Sequence, residues 1–203
     1  MEALILVDIQ PDFLPGGALA IAGGDGIIPV VNSLMPLFPL VVATQDWHPQ
    51  GHRSFASAHE GKKPFEVIYL NGLQQVLWPD HCVQGTPGAE LSNAIHLNKV
   101  EAIFRKGMDS GIDSYSGFYD NGYRKATGLA GYLKARAVDR VFVVGLAADF
   151  CVYYTALDAL KEGFETVIIE DATKPIDVQG FEKAKKDLTA KGGNIMNSEA
   201  LLG

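Results

Sequence analysis

The sequence has few cysteines and no long apolar run, and both features narrow what the protein can be. Its 203 residues include only Cys82 and Cys151, too few for the disulfide framework of a small secreted scaffold. We therefore expect two free thiols. The longest apolar run, residues 34–43, contains two prolines and is shorter than the roughly 18 residues that a membrane-spanning helix needs. The sequence therefore predicts no membrane partner.

Blocks of like charge and amino-terminal targeting signals are also lacking. The 24 acidic and 17 basic residues leave a net charge of −7, without the basic patch that nucleic-acid binding needs. Residues 3–7 are apolar and follow Met1 and Glu2 directly, without the basic segment and cleavage site of a signal peptide. We therefore expect a cytoplasmic protein without a nucleic-acid partner, either a monomer or a small homo-oligomer.

Short β-branched runs alternate along the chain with segments of helical periodicity. The predicted strands are residues 3–9, 40–45, 101–105, 140–145, 166–170 and 194–197, and the predicted helices are residues 25–37, 127–137, 148–163 and 178–192. This alternation predicts an α/β fold, with residues 1–203 forming a single domain. We expect three layers, with a mostly parallel, doubly wound central sheet of the Rossmann-like kind.

The connection between the second and third predicted strands is much longer than a crossover requires. Residues 46–88 are rich in proline, glycine and histidine and show no clear periodicity. Long irregular connections inside compact domains are usually functional. We therefore expect this excursion to contribute to a binding site.

Cys151 follows the predicted strand 140–145, near the start of a predicted helix. The partial positive charge of a helix N-terminus stabilises a thiolate, so the position favours a nucleophile. The alternative is a buried apolar cysteine, which is the commoner role of an arbitrary cysteine.

Two other charged residues stand at the ends of predicted strands. Asp8 and Lys106 should lie beside Cys151, because ligands bind at the carboxyl ends of parallel strands. A carboxylate there acts as the general base for the thiol, and an ammonium keeps that carboxylate ionised. No histidine adjoins the cysteine in the sequence, which favours an aspartate base over a Cys–His pair. Taken singly, Asp8 also suits a turn and Lys106 a solvated surface.

A third group of residues has the character of metal ligands. Asp46 and His48 lie two residues apart, which places both side chains on one side of an extended segment, and His81 is the third candidate. Such ligands suit a divalent ion such as zinc, iron or manganese. His52 is either a further ligand or a residue that orients the loop, and the second role is favoured. Cys82 should point away from His81 and be structural.

Several segments resemble the nicotinamidases, also called pyrazinamidases, which belong to the isochorismatase-like hydrolases. They are VDIQPDF at 7–13, DWHP at 46–49, WPDHCVQGT at 78–86 and the residues around Cys151. The resemblance implies an isochorismatase-like fold and hydrolysis of nicotinamide to nicotinate and ammonia, a step of NAD salvage. It also implies pyrazinamide as a second substrate.

The resemblance further implies roles for particular residues. Asp8, Lys106 and Cys151 would be the catalytic triad, with a thioester formed on the cysteine. One divalent ion, zinc in preference to iron or manganese, would be held by Asp46, His48 and His81. The oxyanion hole would consist of the backbone N–H groups of Ala147 and Cys151, with a cis peptide bond before Ala147. The substrate pocket would be lined by Phe13, Leu19, Trp78 and Tyr115, for which ordinary core packing is the alternative.

Two other functions remain open on the sequence. An amidase of this family that acts on another small amide would keep the triad but would not need the three metal ligands. A non-catalytic metal-binding or ligand-binding relative is the second alternative, because a fold does not dictate a function. Ether hydrolysis of the isochorismatase kind uses no cysteine nucleophile, so Cys151 argues against it.

Overall fold

The central sheet of the protein consists of six parallel strands. The computed structural model describes residues 1–203. The sheet strands are β1 (Glu2–Val7), β2 (Leu40–Asp46), β5 (Ala102–Lys106), β6 (Arg140–Leu146), β7 (Glu165–Lys174) and β8 (Asn194–Met196), in the order β5-β2-β1-β6-β7-β8. A separate antiparallel hairpin contains β3 (Val67–Leu70) and β4 (Leu73–Val76). The predicted parallel sheet is thus confirmed, with every strand pair in it parallel.

Helices cover both faces of this sheet. They are α1 (Ile28–Leu34), α2 (Leu129–Ala135), α3 (Tyr153–Lys161), α4 (Val178–Ala190) and the short α5 (Glu199–Leu202). Buried residues of α1 belong to one apolar cluster, and buried residues of α2, α3 and α4 belong to another. The three-layer, doubly wound architecture is therefore confirmed. None of the helices is long and apolar enough to span a bilayer.

The strand sequences explain why the sheet is covered on both faces. In β1, Leu4 and Leu6 pack into the cluster beneath α1, whereas Ala3, Ile5 and Val7 pack into the cluster on the opposite face. Successive side chains of a strand point to opposite faces, so a continuous apolar run supplies two cores at once. The strand is consequently buried on both sides, and only its carboxyl end is available for polar chemistry.

Two helix predictions need correction. The helix predicted over 25–37 is an α-helix only over Ile28–Leu34, with a 3₁₀ turn on either side. Pro36 explains the early end, because proline cannot donate the hydrogen bond that would continue the helix. The helix predicted over 148–163 begins as a π-helical turn, Ala148–Val152, and becomes α-helical only at Tyr153.

The long connection between β2 and β5 contains the hairpin that the sequence analysis missed. Its turn residues, Asn71 and Gly72, both have positive φ, 52° and 83°. Asn-Gly is the preferred pair for a tight hairpin turn, so a local signal was present. The polar residues of β4 obscured the hairpin, because a strand with few apolar residues shows no clear alternation of apolar and polar side chains.

Candidate active site

The site lies where the strand order reverses, at the carboxyl ends of β1, β2, β5 and β6. β1 pairs with β2 on one side and with β6 on the other, which makes this edge the topological switch point of the sheet. In the strand register, Val7 is opposite Gly145 and Asp46 is opposite Lys106. The register therefore brings the residues that end these strands to one place.

Lys106 connects the acidic groups and the thiol. Its Nζ lies 2.8 Å from Asp8 Oδ2, 2.8 Å from Asp46 Oδ1 and 3.5 Å from Cys151 Sγ. It also donates to the carbonyl oxygen of Ser114 at 2.8 Å. Burial alone would lower the pKa of this ammonium, but the carboxylates of Asp46 and Asp8 raise it well above its ordinary value. Lys106 therefore stays charged inside the protein and compensates the neighbouring carboxylates.

The backbone at this edge is shaped to bring β1 and β6 into close contact. Gly145 has φ 114°, and a Cβ there would lie 2.0 Å from the carbonyl oxygen of Val7. Only glycine fits such an approach. Asp8, the residue that follows β1, has φ 47°, in the left-handed region that aspartate tolerates better than most residues. This turn directs the fully buried Asp8 side chain towards Lys106.

Cys151 is a buried thiol in the π-helical turn that follows β6. Burial raises its pKa well above the ordinary value, Lys106 opposes this, and the charges of Asp8 and Asp46 add to it. Taken together, these influences oppose the thiolate stabilisation expected from a helix N-terminus, so the thiol needs a base. Burial also raises the pKa of Asp8, despite the opposing charge of Lys106. A carboxylate with increased proton affinity beside a thiol is suited to act as its base.

Two residues without a predicted role hold the carboxylates in position. Thr44 Oγ1 donates a hydrogen bond to Asp8 Oδ1 at 2.6 Å. Gln10 clamps the backbone of Asp46, accepting from its N–H at 2.8 Å and donating to its carbonyl oxygen at 2.9 Å. Neither contact was visible in the sequence, because the partners are separated by 36 residues.

Asp46, His48 and His81 form a second group beside the first. One ligand atom from each lies within 4.8 Å of the others. The Nε2 atoms of His48 and His81 are 3.4 Å and 3.7 Å from Asp46 Oδ2. One carboxylate and two imidazoles are a donor set that divalent transition ions accept, and three protein ligands leave positions open. The chemistry and convergence of these atoms fit a divalent metal ion.

Backbone carbonyl groups orient both imidazoles. The Nδ1 of His48 lies 2.9 Å from the oxygen of Gly107, and the Nδ1 of His81 lies 2.7 Å from the oxygen of Pro79. When Nδ1 donates its proton to such a carbonyl, the lone pair of Nε2 is left free to bind a metal ion. Gly107 also makes room for the ring, since a Cβ there would be 2.4 Å from His48 Cε1.

His52 and Cys82 lie near these ligands but outside the converging group. Both ring nitrogens of His52 are within 2.7 Å of other partners, Ser54 Oγ and the carbonyl oxygen of Asp109. Its contacts match the favoured interpretation of a residue that orients the loop. The Cys82 side chain is fully buried in the apolar cluster of the α1 face.

A cavity opens onto both groups. Its lining contains the four predicted pocket residues together with Ala147 and Cys151. The complete lining is Phe13, Leu19, Asp46, Trp78, His81, Asp113, Tyr115, Ala147, Phe150, Cys151 and Ile176. The sequence analysis missed Asp113, Phe150 and Ile176. Phe150 adjoins Cys151 and was open to prediction, whereas Ile176 carries no local signal.

Aromatic rings line this cavity. Phe150 contacts Trp78 edge-on, with ring centroids 4.9 Å apart, and its ring centroid is 5.4 Å from that of Tyr115. Such side chains give apolar walls against which a flat aromatic ligand can pack. The peptide bond between Leu146 and Ala147 is cis, at the position that the resemblance implied.

Comparison with known proteins identifies relatives over nearly the whole chain. Residues 2–200 match the isochorismatase domain. A nicotinamidase of Acinetobacter baylyi is 51% identical over 201 residues, covering 98% of this chain and 94% of that protein.

Solved structures agree with this result. A nicotinamidase and pyrazinamidase of Acinetobacter baumanii has a TM-score of 0.96 at 50% identity, covering 98% of this chain and 97% of that one. A pyrazinamidase of Pyrococcus horikoshii in complex with zinc has a TM-score of 0.77 at 39% identity, covering 97% of this chain and 98% of that one. With its fold and nearly its full length matched, this chain belongs to the isochorismatase domain family.

Proposed function

We propose that the protein is a nicotinamidase, a cysteine amidohydrolase that converts nicotinamide to nicotinate and ammonia in cytoplasmic NAD salvage. The observation that carries the proposal is the shared cavity. Cys151, the Asp46 and His81 side chains and the aromatic rings of Trp78 and Tyr115 all line it. A pyridine carboxamide needs these three features: a nucleophile, a group that recognises the ring nitrogen, and flat apolar walls. The named relatives have the same activity.

The metal ligands supply the recognition of the heterocycle. Asp46, His48 and His81 hold one divalent ion, for which zinc is the first choice and iron or manganese the alternatives. When bound, this ion supplies a Lewis acid for the ring nitrogen of the substrate and a site for water. The zinc complex of the Pyrococcus horikoshii relative supports this assignment. Pyrazinamide has a nitrogen at the same ring position and is the expected second substrate.

In the first half of the reaction, Asp8 accepts the proton of the Cys151 thiol. The sulfur forms a bond to the carboxamide carbon, and the carbonyl oxygen becomes an oxyanion that accepts hydrogen bonds from the N–H groups of Ala147 and Cys151. Asp8 then gives its proton to the nitrogen as the C–N bond breaks, and ammonia leaves. The product is a thioester on Cys151. Lys106 keeps Asp8 in position and favours its ionised form before the first transfer and after the second.

In the second half, water hydrolyses the thioester. Asp8 accepts a proton from the water while its oxygen bonds to the thioester carbon. The C–S bond breaks, the sulfur recovers the proton from Asp8, and the carboxylic acid loses its proton to solvent and leaves as nicotinate. The raised pKa of Asp8 suits both halves, because the same group must accept a proton and return it.

The test is ammonia release from nicotinamide by the purified protein, measured beside pyrazinamide, benzamide and a ureido compound. We expect turnover of the two azaheterocyclic amides and little of benzamide, which lacks the ring nitrogen. Equal turnover of benzamide would favour a general small-amide hydrolase. No ammonia from any of them would contradict the proposal and favour the non-catalytic alternative.

A further inference from the structure

Asp113 is a charged residue of the cavity that the proposed reaction does not use. Its side chain lines the same space as Cys151 and Tyr115, and the residue is only 3% exposed. A buried charge is costly, so its presence in a largely apolar binding cavity calls for a function. The inference below rests on the proposed function.

Hydrogen-bond donors hold both carboxylate oxygens of Asp113. Its Oδ1 accepts a hydrogen bond from the backbone N–H of Ser114 at 2.8 Å, and its Oδ2 accepts one from Gln75 Nε2 at 2.9 Å. Both partners are donors, as an acceptor-only carboxylate requires. Gln75 belongs to the hairpin strand β4, is itself buried, and also contacts the hydroxyl of Tyr115 at 3.2 Å. The unforeseen hairpin thus fixes a negative charge at the cavity.

The charge of Asp113 acts inside the cavity. After burial, it is the largest influence that raises the pKa of Tyr115 well above its ordinary value. Two further carboxylates, Asp8 and Asp46, are paired with the single ammonium of Lys106. With a divalent ion bound, those groups would carry one net positive charge, and the carboxylate of Asp113 would offset it.

This balance matters because the reaction changes the charge of the ligand. The substrate is a neutral amide, and the product is a carboxylate anion. A cavity with a net positive charge would bind the product more tightly than the substrate, whereas a like charge nearby disfavours the anion. We propose that Asp113 is a specificity-determining residue that disfavours the carboxylate product, so that the cavity prefers the neutral amide and releases the acid.

The test compares Asp113→Asn with the unmodified protein. We expect the inhibition constant of nicotinate to fall roughly tenfold, the size of about 1.4 kcal/mol, with a smaller change in the KM of nicotinamide. Asp120→Asn is the matched control. Asp120 lies in the same chain segment and also accepts backbone N–H bonds, from Gly122 and Arg124, but it does not line this cavity. It should leave both constants unchanged.

A direct measurement of nicotinate binding separates the effect of Asp113 on product affinity from its effect on turnover. Nicotinate binding to Cys151→Ala, with and without zinc, should tighten when Asp113→Asn is added. If Asp113 had only a structural role, the substitution would weaken the binding of nicotinamide and of nicotinate together. That outcome would overturn the proposal. Unchanged nicotinate binding would do the same.

A measurement without the Asp113 variant covers the case in which that variant does not fold. 3-Nitropyridine is a neutral, planar counterpart of nicotinate, and it should inhibit the unmodified protein at least as strongly as nicotinate does. Stronger inhibition by nicotinate would contradict the role of Asp113. Failure of the proposed function is recognised separately, because the unmodified protein would then release no ammonia from nicotinamide.

Discussion

Chemical groups are positioned in different ways at the carboxyl ends of the sheet strands, here called the sheet edge, and in the excursion between β2 and β5. At the sheet edge, strand register sets the positions: Asp46 and Lys106 are direct partners in the ladder, and Asp8 follows a paired residue. In the excursion, individual hydrogen bonds to distant backbone or side-chain groups set the positions. The Nδ1 of His48 faces the carbonyl of Gly107, and the N–H of Cys82 donates to Asp12 Oδ2 at 2.7 Å.

The difference separates two tasks within one cavity. The ladder is a cooperative structure with many hydrogen bonds, so it suits a nucleophile and base that must keep a fixed geometry. The excursion depends on a few contacts that can be altered one at a time. We therefore expect changes to Cys151 or Asp8 to abolish chemistry without loss of the metal, and changes to the histidines of the excursion to weaken metal binding first. Asp46 belongs to both groups, because it ends β2 and also faces His48 and His81.

The largest effect is expected for Cys151→Ala. Loss of the nucleophile should lower turnover of nicotinamide about ten-thousand-fold or more, as for other covalent catalysts. Zinc binding, measured by competition with a chromogenic chelator, should stay at the level of the unmodified protein. Residual turnover within tenfold would remove the thioester from the mechanism.

On the excursion side, His81→Ala should weaken the metal site. We expect metal affinity to fall by roughly 100-fold or more, because even groups that only support a ligand contribute 10- to 100-fold. Turnover should fall with it and recover in part at high zinc concentration. The exposed His96, in the same connection, provides the control His96→Ala. If both variants bind zinc equally, His81 is not a ligand.

Gly107→Ala changes a group that supports the metal site without removing a ligand. The new Cβ would lie 2.4 Å from His48 Cε1, so the imidazole must move, and we expect a loss in metal affinity of about 10- to 100-fold. Gly51→Ala is matched to it, since Gly51 also has positive φ (70°) but open space around it. An equal loss in both would show that backbone strain, rather than the ring, is responsible.

The two thiols provide a smaller contrast between the regions. Burial raises the pKa of both cysteines, but Cys151 is 7% exposed in the cavity with Asp8 beside it, and Cys82 is fully buried. We expect iodoacetamide to modify Cys151 roughly tenfold faster, because reactivity follows access and thiolate formation. Peptide mapping by mass spectrometry would measure this, and Asp8→Asn should reduce the difference. Equal slow modification would count against a base at Asp8.

The smallest effect is expected at Thr44, whose hydroxyl donates a hydrogen bond to the proposed base Asp8. Its hydrogen bond lowers the pKa of Asp8, against the larger effect of burial. Thr44→Val removes that bond, so the pKa of Asp8 should rise further. Since the reaction needs ionised Asp8, the acid limb of the pH profile of kcat/KM should move to higher pH. The value of kcat/KM on the pH-independent plateau should change less. An acid limb that stays in place would mean that another group controls it.

Much of the fold was accessible from the sequence. The six sheet strands were predicted because each is a compact apolar run between turn residues, as in 140–145, and parallel strands bury both faces. The errors lie where periodicity is weak. In β4, the buried Gln75 interrupts the apolar pattern of a strand, so the hairpin was missed although Asn71 and Gly72 indicated its turn.

The sequence by itself determined which strands are followed by Asp8, Lys106 and Cys151, since apolar runs and their ends are local properties and the carboxyl ends of parallel strands lie on one side of the sheet. Only the tertiary structure decided the electrostatics. The raised pKa of the Cys151 thiol results from burial and from the carboxylates of Asp8 and Asp46, which lie at the ends of β1 and β2. The charge of Asp113 is held by Gln75, 38 residues away. Burial and charge pairing depend on distances between segments remote in the chain, and no local pattern encodes those distances.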